Sequence, residues 1–128
     1  MGTIRHAYLV QAHNQPELLK LLIRKLDIEE NDIVLHLDAK SPLAYEQFAD
    51  VPRHASMRCC KRQSVTWGGY SQIRCELSLL REAVKSGHHC YYHLLSGTDL
   101  PLRPIRDINT FYENAGGKEF INYEDPTV

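Results

Sequence analysis

Several scarcities in this chain exclude whole classes of function. Its 128 residues hold no apolar run approaching the ~20 residues that a membrane-spanning helix needs. Met1-Gly2-Thr3-Ile4-Arg5 leads straight into an apolar segment, so no signal peptide is expected, and His6 stands where a myristoylation motif would carry Ser or Thr. Neither sign of charge prevails: 15 Lys plus Arg face 16 Asp plus Glu, a net charge of −1, which gives no global field to recruit nucleic acid or an anionic membrane. Arg53, His54, Arg58, Lys61 and Arg62 make one local basic stretch, equally explained by a solvated segment or a phosphate site. Cysteine is limited to Cys59, Cys60, Cys75 and Cys90, with no C-x-x-C pair and no zinc-type spacing to the seven histidines. Reduced, partly buried thiols in a cytosolic setting are the expectation. A glycine-rich dinucleotide fingerprint and a lysine-bearing phosphate loop are both missing, as are a nucleophile elbow around Ser96-Gly97 and a His-x-x-x-His helix.

What is present is one domain of ordinary globular composition, 43% hydrophobic and 24% charged. Short apolar runs predict strands at Ile4 to Ala12, Ile33 to Leu37, Ala55 to Cys60 and Tyr91 to Leu95. Asn14 with Glu17 three residues on, and Pro16 in the first turn, predicts a helix carrying Leu18, Leu19, Leu22, Ile23 and Leu26 on its buried face. Asn31-Asp32 reads as a turn. Ser41-Pro42 predicts a short helix over Leu43 to Phe48. Ile73, Leu77, Leu80 and Val84 form the apolar stripe of a helix to about Ser86, with Gly87 as its C-cap. A last helix from Pro104 to Tyr112, closed by Gly116-Gly117, leads to a strand at Glu119 to Asn122. Strands alternating with helices at these lengths predict an α/β fold of three layers with a mostly parallel sheet. The chain stops soon after a predicted strand, so the expectation is the amino-terminal part of a larger enzyme.

Candidate chemistry sits where predicted strands end. His13 follows the first strand, Asp38 the second, and Asp99 the strand Tyr91 to Leu95. Parallel strands would bring all three to one edge of the sheet, the usual ligand crevice of open α/β folds. A nucleotide needs an acceptor for base N–H or ribose hydroxyl, an apolar surface for the base, and backbone that approaches closely. Asp38, Trp67 and the pair Gly68-Gly69 supply those three in turn. Each residue has a second reading: Asp38 as the cap of the turn into Lys40-Ser41, His13 as a local hydrogen-bonding group, Trp67 as a core or lid residue, and Asp99 as the acceptor of an Asx turn. His88-His89 reads as loop decoration. No catalytic residue and no metal ligand can be assigned.

Four blocks carry a resemblance: Val10-Gln11-Ala12-His13-Asn14, Leu35-His36-Leu37-Asp38-Ala39-Lys40, Ser64-Val65-Thr66-Trp67-Gly68-Gly69-Tyr70-Ser71, and Leu95-Ser96-Gly97-Thr98-Asp99-Leu100-Pro101-Leu102. In this order they resemble the amino-terminal half of the catalytic domain of the core-2/I-branching N-acetylglucosaminyltransferase family, which includes peptide O-xylosyltransferases. The resemblance implies a GT-A-like, Rossmann-like fold and an inverting transfer of N-acetylglucosamine or xylose from a UDP-sugar to a glycan or polysaccharide hydroxyl. It implies no metal cofactor. Ala12 and His13 would line the donor pocket, Asp38 would bind the uracil or ribose side, and Trp67 with Gly68 would lie near the base. Asp99 would stand where metal-dependent GT-A enzymes keep Asp-x-Asp, with a single carboxylate here. The catalytic base and the residues that neutralise the diphosphate would lie in the second half of the domain. With few cysteines, the chain looks like a bacterial member that makes surface polysaccharide in the cytoplasm, at the inner face of the membrane. Self-association through an uncovered apolar face is expected of this half-domain. The alternatives are a nucleotide-binding module without transfer activity and a structural α/β domain.

Overall fold

The computed structural model describes residues 4–66 and 68–115. It contains four parallel strands and three α-helices in the order β1 (His6–Ala12), α1 (Pro16–Leu26), β2 (Asn31–Leu37), β3 (Ser56–Cys59), α2 (Tyr70–Lys85), β4 (Tyr91–Ser96) and α3 (Ile105–Asn114). The sheet order is β3-β2-β1-β4, with β1 hydrogen-bonded between β2 and β4. The expected α/β architecture and the neighbouring parallel strands are therefore found. Because β1 sends its first crossover to one side and the chain returns as β4 on the other, the carboxyl ends of β1 and β4 flank a topological switch point.

Alternation along β1 and β2 splits the core in two. Tyr8, Val10, Ile33, Leu35 and Leu37 face α1, whose Leu19, Leu22, Ile23 and Leu26 are fully buried, and Ile105 of α3 joins the same layer. Ala7, Leu9 and Val34 face the other way and pack under Cys75, Leu79 and Ala83 of α2. Cys59 and Cys60 divide between the two layers, as adjacent strand residues must, and all four cysteines are free thiols. Burial pushes the Cys60 and Cys75 thiols up to about 12, so both are inert at neutral pH.

Several local expectations are corrected. The helix α1 is preceded by Gln15 in the left-handed region (φ 60°) with Pro16 at its first turn, and Asn14 makes no cap. Asn31 and Asp32 belong to β2 and are buried, because each finds partners distant in sequence. Asn31 donates to Leu26 O and accepts from Asn109, while Asp32 accepts from the Ser56 and Ser86 hydroxyls and lies 3.1 Å from His89 Nε2. His89 is thus a buried structural group rather than loop decoration. Leu43 to Phe48 holds only a 3₁₀ turn at Tyr45–Gln47, since Ser41 Oγ accepts the Leu43 N–H and closes a local turn first. The predicted stripe of α2 is exposed, Ile73 at 52% and Val84 at 60%, and the helix buries Cys75, Leu79 and Ala83 instead. Cys90 is exposed, and β4 is half-buried on one face and exposed on the other. The expected strand at Glu119 to Asn122 and the Gly116-Gly117 stop lie outside the described residues.

Candidate functional site

A cleft of about 690 Å³ opens at the carboxyl edge of the sheet, within the size range of small-ligand sites. Its floor is Gln11 and Ala12 from β1 and His36 from β2. Leu94 to Ser96 of β4 form one wall, Gln72 and Glu76 of α2 another, and Lys40 to Pro42 with Val65 and Thr66 the rim.

The ends of β1 and β4 meet because residue 97 has no side chain. Gly97 N–H donates to Gln11 O at 2.7 Å, and a Cβ on Gly97 would lie 2.7 Å from Ala12 Cβ. No real pair of carbons approaches that closely, so the β4 exit can seat against Ala12 only with glycine there.

Asp38 is buried at the end of β2 and lines the cleft. Its Oδ1 accepts the Lys40 N–H at 2.9 Å and its Oδ2 lies 3.4 Å from the Val65 N–H, so it caps the turn into Lys40-Ser41 while lining the cleft. A carboxylate offers about four lone-pair sites, and two of them remain for a ligand N–H or O–H.

After β3, residues 61–66 run back over the rim as a strap. Arg62 fastens it by donating to three carbonyls, Leu37 O (3.1 Å), Asp38 O (2.7 Å) and Ser41 O (2.8 Å). Ala39 N–H donates to Gln63 O, Gln63 N–H donates to His36 Nε2 at 2.9 Å, and Lys40 Nζ donates to Val65 O at 2.7 Å. Burial pushes the His36 imidazole below its ordinary value against the pull of the Asp38 carboxylate, with Arg62 adding to the depression. Lys40 brings an ammonium to the rim, the cation among the described lining residues.

Of the six candidate residues, Ala12, His13 and Asp38 come together in this cleft, His13 exposed at its rim. Asp99 lies on the same edge of the sheet but outside the lining. Its Oδ2 accepts the Ser96 N–H at 2.8 Å, so it does take a local backbone N–H as expected, but by reaching back three residues rather than forward as an Asx turn does. Gly68 is exposed at φ 77°, donates to Gln72 Oε1, and is also outside the lining, while Trp67 lies outside the described residues. Sequence reasoning overlooked His36, Lys40, Gln72 and Glu76. The position of Lys40, two residues past a strand-end carboxylate, was a usable signal. Among the described residues no group of three His, Cys, Asp or Glu side chains is placed to hold a metal ion, and no helix is long and apolar enough to cross a membrane.

Comparison with known proteins gives the site a context. The family model described as Core-2/I-Branching enzyme matches residues 6–127. The probable beta-1,3-galactosyl-O-glycosyl-glycoprotein beta-1,6-N-acetylglucosaminyltransferase 7 of Sus scrofa is 26% identical over 115 residues, covering 84% of this chain and 26% of that protein. Xylosyltransferase 2 of Rattus norvegicus is 26% identical over 123 residues, 92% of this chain and 14% of its own length. The N-acetyllactosaminide beta-1,6-N-acetylglucosaminyl-transferase of Homo sapiens is 28% identical over 117 residues, 88% and 29% respectively. The chain therefore spans less than a third of each of these relatives.

Proposed function

Because the chain belongs to the Core-2/I-Branching enzyme family, we propose that its cleft holds the nucleotide end of a UDP-sugar and that the whole protein transfers the sugar, with inversion, to a hydroxyl of a glycan acceptor. The observation that carries this reading is Asp38, a buried carboxylate with unused lone pairs, set in a cleft at the switch point of a parallel sheet. Asp38 accepts a ribose hydroxyl or the uracil N–H, while Ala12 and Leu94 to Ser96 flank the nucleoside. The names of the relatives, which are N-acetylglucosaminyl- and xylosyltransferases, support the sugar-transfer part of the proposal.

In-line displacement further needs a base for the acceptor hydroxyl and positive charge on the departing diphosphate. Lys40 supplies part of that charge, and the base and the remaining cations come from outside the described residues. No metal is required in this scheme. Calorimetric titration with UDP, first in chelator and then with manganese, tests it. Asp38→Ala is expected to weaken UDP binding by about 1.5–3 kcal/mol, the worth of a hydrogen bond to a charged group. Unchanged affinity in that variant rejects the site. Binding that starts only with manganese rejects the metal-free scheme and leaves sugar transfer standing.

A further inference from the structure

His36 is buried on the α2 side of β2, opposite Gln11 of β1, and its role in the cleft comes from what leans on it. The backbone N–H of Gln63 points at Nε2 from 2.9 Å. A backbone N–H can only donate, so Nε2 is an acceptor and the ring is neutral, with its proton on Nδ1. This bond anchors the middle of the strap. One residue earlier Arg62 is fixed by three carbonyls, and two residues later Val65 meets both Asp38 Oδ2 and Lys40 Nζ. The groups that orient Asp38 and Lys40 therefore hang on a segment whose central N–H depends on an unprotonated imidazole.

We propose that His36 is a positioning residue for the cleft, a latch that holds the 61–66 strap closed over Asp38 and Lys40 and opens when the ring takes a proton. A proton on Nε2 would set donor against donor at 2.9 Å, and the Gln63 N–H would lose its acceptor in a place with little water. The charged groups that act on the ring are Asp38 beyond the end of β2 and Arg62 on the strap, Glu76 of α2 shares the cleft lining with it, and β1 presents the uncharged Gln11. Burial and Arg62 oppose the proton and outweigh the pull of the Asp38 carboxylate, which keeps the latch shut at neutral pH. The strap half of this inference stands on the hydrogen bonds alone. The ligand half rests on the nucleotide reading of the cleft.

Amide exchange of Gln63, expressed as a protection factor at pH 7.5 and pH 4.5, reads the strap without any ligand. UDP titrations at the same two values read the cleft. The wild-type chain is expected to lose Gln63 protection on acidification, and UDP affinity is expected to fall with it, by roughly tenfold for one buried donor left unpaired. His36→Gln keeps an acceptor at the position of Nε2 but does not titrate, so Gln63 protection should hold at both pH values and the UDP affinity of the variant, whatever its level, should lose the tenfold fall on acidification. His36→Leu should lack both throughout. Should His36→Leu fail to fold, the wild-type pH series and His36→Gln suffice. Equal Gln63 protection at both pH values in the wild type, or loss of protection in His36→Gln, overturns the latch. A strap that behaves as described in a chain that binds no UDP overturns the ligand half, and with it the nucleotide reading, while the latch stands.

Discussion

Gly97 shows how one missing methyl group decides the shape of the cleft. Alanine there would overlap Ala12 Cβ, which belongs to a central strand and has no rotamer to move into. The strain falls on the β1–β4 junction, where the proposed nucleoside would lie. Gly97→Ala is expected to destabilise the fold by about 1–3 kcal/mol, the usual range for overpacking, and to weaken UDP binding as well. Urea unfolding with parallel UDP titration checks this, and a variant with wild-type values in both would show that the junction has slack. Asp38 and Asp99 make a useful contrast at the same scale. Each follows a strand and each was legible as a candidate, yet Asp99 bends back to its own Ser96 N–H while Asp38 keeps a face on the cleft. Nothing in the local sequence separates the two. The difference lies in the strap, which covers Asp38 from 25 or so residues away in the chain and has no counterpart over Asp99 among the described residues.

Among the elements, α3 is held to the sheet by polar groups more than by apolar packing. Asn109 accepts from the Tyr8 hydroxyl at 2.6 Å and donates to Asn31 Oδ1 at 2.9 Å, and Glu113 takes a hydrogen bond from His6 Nε2 at 2.8 Å. His6 Nδ1 in turn lies 3.0 Å from His93 Nε2, inside a stack of near-parallel rings running Tyr91, His6, His93, Tyr8. Burial, with His6 adding to it, pushes the His93 imidazole down to about 4, so the folded chain binds fewer protons than the unfolded one between that value and 6.5. This contribution to stability is complete above pH 6.5 and disappears as pH falls through 4, and it amounts to at most about 3 kcal/mol. His93→Phe, which keeps the ring without the titration, should flatten that part of the stability–pH profile measured by urea unfolding. Asn109→Ala should cost roughly 1–3 kcal/mol at any pH, because it orphans two buried partners. These networks were illegible in the sequence for a plain reason. Asn31 to Asn109 and His6 to Glu113 are contacts across most of the chain, whereas periodicity reports only neighbours on one strand or helix. The strands and helices themselves were legible, since their alternation is local. Which face of α2 would be buried was not: Cys75, Leu79 and Ala83 include the small side chains that let a helix sit close on parallel strands, and the bulkier stripe scored higher as a core.

At the scale of the molecule, that mistaken face leaves a large apolar surface. Helix α2 lies over β1 and β2, and its Ser78 and Glu82 reach toward the strap and β3 through Gln63 and Arg58. The opposite flank of the helix therefore looks over β4, whose α2-side residues Tyr92 and Leu94 are exposed. Together with Tyr70, Ile73, Leu77, Leu80 and Val84 these side chains form a surface on the order of several hundred Å², at the upper end of what a monomer ordinarily shows water. A second copy of the chain is the proposed occupant, since a two-fold pair needs only one self-complementary patch. Arg74 and Arg81 border the stripe on the flank away from the cleft, where Lys85 is paired with Glu82 at 3.7 Å, so the stripe itself stays apolar between polar edges. Sedimentation equilibrium should show a concentration-dependent dimer that persists in high salt, because apolar contact is not screened as charge is. Placing like charges toward both ends of the stripe with Ile73→Lys and Val84→Lys should give a monomer whose urea midpoint is unchanged, as both side chains are exposed in the folded chain. A wild-type chain that stays monomeric at high concentration, or a double variant that still pairs, would place the association elsewhere or nowhere, and the outer face of α2 would then be ordinary surface.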